Sequence, residues 1–248
     1  MGATHAWFQR RDRYSRIMIL QESPPIRDAA TIILLRRNEH GCSVLMGMRG
    51  AKAVFMPSKY VFPGGAVDQE DASSPLARPI GEIHRQRLVA EPREGVSSDP
   101  HAISAAALRE LAEETGLLIG LQNGPKSAWP GYAETGLSPD ASQLHYVFRA
   151  ITPPGRTRRF DARFFVVDAD RITGDPDDFG RACDELSHLH WVPLAQARAL
   201  NLPFITEVVL AEITELSGSV PYHVPLPQPD TVPFFDNRGA SPRFAQIA

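Results

Sequence analysis

A single mixed α/β domain is what this sequence predicts, and three observations predict it. Strand-like apolar runs alternate with helical patterns along most of the chain. Its 248 residues, 43% of them hydrophobic, suffice for one generous core. The clearest helix lies mid-chain, between strand pairs, so helices and strands are interleaved rather than segregated.

In chain order, residues 1–26 read as an N-terminal extension. Its "QRRDRYSRIMIL" is basic, with only a short apolar patch and no secretory core, so an extra helix or an arm is expected. "AATIILLRR" and "CSVLMGMRG" are strands, and Asn38-Glu39-His40-Gly41 between them is a hairpin turn. "KYVFPGGAV" is a strand running into a Pro-Gly-Gly bend. Residues 72–98 are polar and rich in Pro, Arg and Glu, with "GEIHRQRLVAE" as a short helix, so they read as an insertion rather than a core element.

The main helix follows. Asp99 caps it, Pro100 fits its first position, alanines propagate it and Gly116 supplies the left-handed stop. After a loop containing "NGPKSAWPG", "LHYVFRAI" and "RRFDARFFVVD" are strands joined by "TPPG". "LSHLHWVPL" is a further strand, "AQARAL" a short helix and "FITEVVLAEITEL" an amphipathic helix. The domain is expected to span 27–217, with residues 218–248 a proline-rich tail along the surface.

A net charge of -3 and a pI near 6.2 give no ground for nucleic-acid binding. No apolar run approaches the roughly 20 residues of a membrane span. Two cysteines, Cys42 and Cys183, make no disulfide framework and point to a reducing, cytoplasmic setting.

The chemistry concentrates in "ALRELAEETGLL". At 100° per residue, Ile103, Ala107, Leu108 and Leu111 share an apolar face, with Glu110, Glu113 and Glu114 along its edge. Glu110 and Glu114 are like charges at i,i+4, costing about 0.2–0.5 kcal/mol. All three lie at the negative end of the helix dipole, at about 0.3–1 kcal/mol each. Clustered hard oxygens of this kind suit a hard divalent cation, which turns the repulsion into attraction.

"RELAEETGL" matches in every position the Arg-Glu-aliphatic-x-Glu-Glu-x-Gly-aliphatic core of the Nudix box. At average residue frequencies a chance match has odds on the order of 10⁻⁵. The chain therefore resembles the Nudix hydrolases, which implies an α/β/α sandwich with a mixed sheet between helices. The upstream half of the box departs from the usual pattern: Gly65 leads to Asp71, with Glu70 one position early, and a long insertion precedes Arg109. "RDAATIILL", "FMPSKYVFPGGAVD" and "RRFDARFFV" resemble the subfamily that includes the peroxisomal coenzyme A diphosphatases of animals. A coenzyme A motif of that subfamily is matched at Arg49 and Phe62, whereas Val54 and Ser58 replace its usual Arg and Gly.

The resemblance implies hydrolysis of a diphosphate in a nucleoside diphosphate derivative. Coenzyme A or acyl-coenzyme A leads, ADP-ribose or NADH comes second, and a non-catalytic nucleotide sensor is the remaining alternative. It implies Mg²⁺ or Mn²⁺ held by Glu110, Glu113, Glu114 and the Gly65 carbonyl, with Arg109 orienting a neighbouring glutamate. A box glutamate is the first choice for general base and Glu185 the second. Arg49, Phe62 and Gly64 are assigned to substrate, and Lys52, Lys59, Arg85 and Arg87 are further phosphate contacts to be tested. The insertion beside the box helix is expected to influence substrate choice, and a homodimer agrees with family habit.

Overall fold

The computed structural model describes residues 24–239 and 241–248. The basic stretch singled out at the N-terminus lies outside them. Strands β1 (Ile26–Asn38) and β2 (Gly41–Arg49) form the expected hairpin, and short β3 (Tyr60–Val61) and β4 (Gly64–Ala66) flank the Pro-Gly-Gly bend. Helices α1 (Glu82–Val89) and α2 (Pro100–Thr115) follow. Next come β5 (Gly120–Leu121), a single turn α3 (Tyr132–Thr135) and β6 (Ser138–Pro139). Strands β7 (His145–Ile151), β8 (Arg159–Asp168) and β9 (Leu186–Pro193) precede α4 (Leu194–Ala197) and α5 (Phe204–Gly218). Strands β10 (Val232–Asp236) and β11 (Arg243–Ile247) close the chain.

The main sheet runs β11-β10-β7-β8-β1-β2-β3, with β4 also paired to β1 and β9 to β2. It is mixed: β1 with β8 and β7 with β10 are parallel, while the other pairs are antiparallel.

The unbroken apolar run in β1 has a simple cause. Side chains alternate between sheet faces. Ala30, Ile32 and Leu34 therefore enter one core, which holds the apolar side of α2, while Ile33 and Leu35 enter a second core under α5. Phe165 and Val167 of β8 join the first and Phe164 and Val166 the second. A strand covered on both sides reads as continuously hydrophobic.

Two sequence expectations are corrected here. The segment read as an insertion is part of the core, because Ile80 and Leu88 are buried in the first cluster and Arg93 reaches Asp28 and Asp161. The proline-rich tail does not simply lie on the surface. Its residues Val232, Phe234 and Ile247 complete the same core, with β10 hydrogen-bonded to β7. Alternation in "TVPFFD" and "RFAQI" buries one face of each strand, a signal that the surrounding prolines hide. Two buried anchors pin the tail: Arg87 donates to the carbonyls of Pro229 and Asp230, and Arg37 donates to that of Val224.

Candidate active site

Helix α2 is built as its sequence requires. The Asp99 side chain accepts from the His101 N–H, Pro100 opens the first turn and Gly116 stops the helix at φ 76°. Its alanines are buried and let the helix lie close against β1 and β4. That proximity brings the carboxylates of its last turn onto the Pro-Gly-Gly backbone.

Glu114 is the most deeply set of them, at 2% exposure. Its Oε2 accepts the Gly64 N–H at 2.8 Å, and its Oε1 is buried with no partner among the described residues. Burial pushes its carboxyl up to about 8, against the Gly64 N–H, which favours the charge; Glu110 and Glu185 push it further up, while Arg49 opposes them. Burial also raises Glu110, with Arg109 opposing. A Cβ on Gly65 would collide with the Glu110 carboxylate, so the glycine makes room for that group.

Arg109 is the hub. It donates to Glu110 at 2.7 Å, to Glu113 at 3.2 Å and to the Ala66 carbonyl at 3.0 Å. It also grips both oxygens of Asp71, at 2.9 and 3.0 Å. Asp71 is 1% exposed, and its Oδ2 also receives the Asp68 N–H. Sequence reading noted Asp71 without giving it a task, yet it anchors the guanidinium that positions two box glutamates. Its spacing from Gly65 was the available signal.

The residues predicted for the site line one cavity of about 1270 Å³: Arg49, Phe62, Gly64 and Gly65 meet Arg109, Glu110, Glu113, Glu114 and Glu185 there. Arg49 ends β2 with a buried, unpartnered Nε. Phe62 is packed in the second core and offers the cavity only part of its wall. Glu185 is exposed just before β9, and Cys183 beside it donates its N–H to the Glu113 carbonyl.

Of the further cations, Lys59 lines the cavity but donates to Asn201 and the Leu202 carbonyl, Arg85 pairs with Glu82, and Lys52 is exposed outside the lining. No residue of 72–98 lines the cavity, so the segment expected to influence substrate choice does not form its wall. The reason is its placement: α1 packs against β7, and His84 accepts the N–H of Tyr146 on the opposite sheet face.

Among the described residues, no three His, Cys, Asp or Glu side chains converge on one point as a ready metal cluster. Arg109 accounts for this by drawing Glu110 and Glu113 to itself. The donors nevertheless fit a hard cation: several carboxylate oxygens, an unpartnered Glu114 Oε1, and a glycine backbone with no side chain in the way. No helix described is long and apolar enough to cross a membrane.

No family model matches the chain. Over 182 residues it is 30% identical to putative nudix hydrolase 7 of Caenorhabditis elegans, covering 67% of this chain and 51% of that protein. The crystal structure of a NUDIX hydrolase from Alicyclobacillus acidocaldarius superposes with a TM-score of 0.57 at 27% identity, over 81% of this chain and 99% of that one. The chain belongs to the Nudix hydrolase family. It spans about half the length of the curated relative it matches. The interruption of the box, which carries α1 and the first turns of α2, is closed in space: Asp71 and Arg109 meet across it.

Proposed function

We propose that this Nudix protein hydrolyses a diphosphate linkage in a nucleoside diphosphate derivative, with coenzyme A or acyl-coenzyme A as substrate and 3′,5′-ADP and (acyl-)phosphopantetheine as products. Water adds to one phosphorus while that phosphorus loses its bond to the bridging oxygen. The carrying observation is the Glu114–Glu110 pair against the Gly64-Gly65 backbone, with one Glu114 oxygen buried and unpartnered.

Glu110, Glu113, Glu114 and the Gly65 carbonyl would hold an Mg²⁺ or Mn²⁺, which would neutralise diphosphate charge and lower the pKa of a bound water. The chain's own groups do the rest. Arg109, braced by Asp71, holds Glu110 and Glu113 in orientation. Arg49, at the end of β2 in the cavity lining, meets a phosphate oxygen. A box glutamate takes the proton of the attacking water, with Glu185 second in line. The coenzyme A assignment draws on Arg49 and Phe62 at their motif positions and on a cavity of about 1270 Å³.

The test is incubation with coenzyme A, acetyl-coenzyme A, ADP-ribose, NADH, diadenosine polyphosphates and nucleoside triphosphates, with products resolved by chromatography. Release of 3′,5′-ADP at the highest kcat/KM is expected. Preference for ADP-ribose or NADH would overturn the substrate, and no cation-dependent turnover of any of them would overturn the activity.

A further inference from the structure

Five residues that the sequence scatters over more than 160 positions stand in one line across the sheet. Ala66 of β4 is opposite Ala29 of β1, Ala29 opposite Ala162 of β8, Ala162 opposite Ala150 of β7, and Ala150 opposite Phe235 of β10. Residues in register on neighbouring strands point to the same face, and all five line the active-site cavity. Strands lie about 4.8 Å apart, so the four steps make a path of roughly 19 Å. It starts beside Gly65, where the Glu110 carboxylate sits, and ends at Phe235.

The row two residues away on each side is bulkier. Arg27 and Phe160 flank it on one side, and Thr31, Phe164 and Phe148 flank it on the other. Four methyl side chains between larger ones make a trough. Its far end is walled by Phe235 and Phe204, whose rings meet edge-on at 6.2 Å. Phe204 is 66% exposed although it opens a helix whose other apolar residues are largely covered. Phe204 thus leaves apolar surface open at this end of the row, where Phe244, also exposed, stacks on Phe235 at 4.7 Å.

The chemistry of the row decides what suits it. The floor and end wall are methyl and phenyl groups, while the polar side chains of the lining, Arg27, Thr31 and Thr152 among them, lie outside the row. A trough floored by methyls suits a thin, unbranched hydrocarbon.

We propose that this alanine row is a length-measuring subsite for a linear, unbranched chain running from the phosphate on the half of the substrate remote from the nucleoside, with Ala162 and Ala150 admitting the chain and Phe204 and Phe235 ending it. The substrate identity rests on the proposed function; the trough itself does not. Each methylene seated adds up to about fourfold in affinity, the burial of one CH₂.

Binding can be measured without turnover, by titrating straight-chain alkyl monophosphates of about four to about twelve carbons into the full-length protein. Affinity is expected to rise two- to fourfold per methylene and then level off. Ala162→Leu, which plugs the middle, should bring the plateau to shorter chains. Phe204→Asp, an exposed position that leaves the core intact, should lower affinity only for the longest. Val89→Asp, exposed on α1 away from the cavity, should leave the series unchanged.

A wild-type affinity that does not change with chain length overturns the subsite. So does a plateau that neither Ala162→Leu nor Phe204→Asp moves. Should the alkyl series behave as expected while the nucleotide panel gives no hydrolysis, the trough stands and the enzymatic reading falls.

Discussion

Two of the arginine–carboxylate clusters in this molecule are built to opposite ends. In one, Asp161 is fully buried between Arg149, Arg93 and Arg163. Arg149 holds both its oxygens at 2.8 Å and Arg93 holds one at 3.0 Å. Asp28 accepts from Arg93 and Arg163, and Arg149 also caps the carbonyls of Ala90 and Glu91. Burial alone would raise the Asp161 carboxyl, yet these bonds and charges hold it below the usual carboxylate range. In the other cluster a single hub, Arg109, faces Asp71, Glu110 and Glu113, while Glu114 beside them has no cation bonded to it and rises to about 8. The first cluster has its carboxylates matched and clasps the 90–98 segment to the sheet. The second has acid in excess. Uncompensated charge in a cavity is what separates a site from a brace.

Asp161→Asn should give the largest effect. It leaves three arginines around a neutral side chain, so unfolding in denaturant should show a loss of about 3–5 kcal/mol. Glu114→Gln should do the reverse: the fold is kept and cation-dependent turnover falls at least about a hundredfold. Near-normal turnover would erase the contrast between brace and site.

Asp71→Asn should come next. It frees the Arg109 fork without touching substrate, so cation affinity and kcat fall about tenfold while KM moves little, and Asp71→Glu restores part of the loss. A pure folding defect would instead lower the active fraction and leave cation affinity unchanged.

The smallest effect concerns pH. Glu114 has a folded pKa of about 8 against an ordinary 4.5, so the cation-free folded state binds the extra proton between those values and loses stability as pH rises through them. His84 is buried and neutral, its pKa lowered to about 4 from 6.5 by burial first and then by the charges of His145 and Arg87. There the unfolded state binds the extra proton, so stability is lost as pH falls from 6.5 toward 4. The two slopes oppose each other below pH 6.5. Between about 6.5 and 8 the slope should come mainly from Glu114, with Glu110 acting in the same direction, on the order of 1 kcal/mol, and Glu114→Gln should reduce it. Thermal melts across that window check the sign.

Local signals made much of this legible beforehand. The β1–β2 hairpin, the capped helix α2 and the crowding of Glu110, Glu113 and Glu114 all follow from neighbours in the chain. What stayed hidden depends on distant partners. The grip of Asp71 on Arg109 crosses 38 positions, and the row from Ala66 to Phe235 exists only once five strands are in register. Strand β10 was masked because its proline-rich surroundings dominate composition, whereas alternation decides pairing. The turn α3 with β5 and β6 was missed for its brevity: Tyr132 holds it by donating its hydroxyl to the Ile119 carbonyl, a contact without sequence periodicity.

Calorimetric titration of Mn²⁺ into the full-length protein at pH 7, with a non-hydrolysable diphosphate analogue present, tests the central claim most directly. Saturable binding accompanied by proton release, with both lost in Glu114→Gln, is the predicted result. Equal heats for the wild type and Glu114→Gln would contradict it.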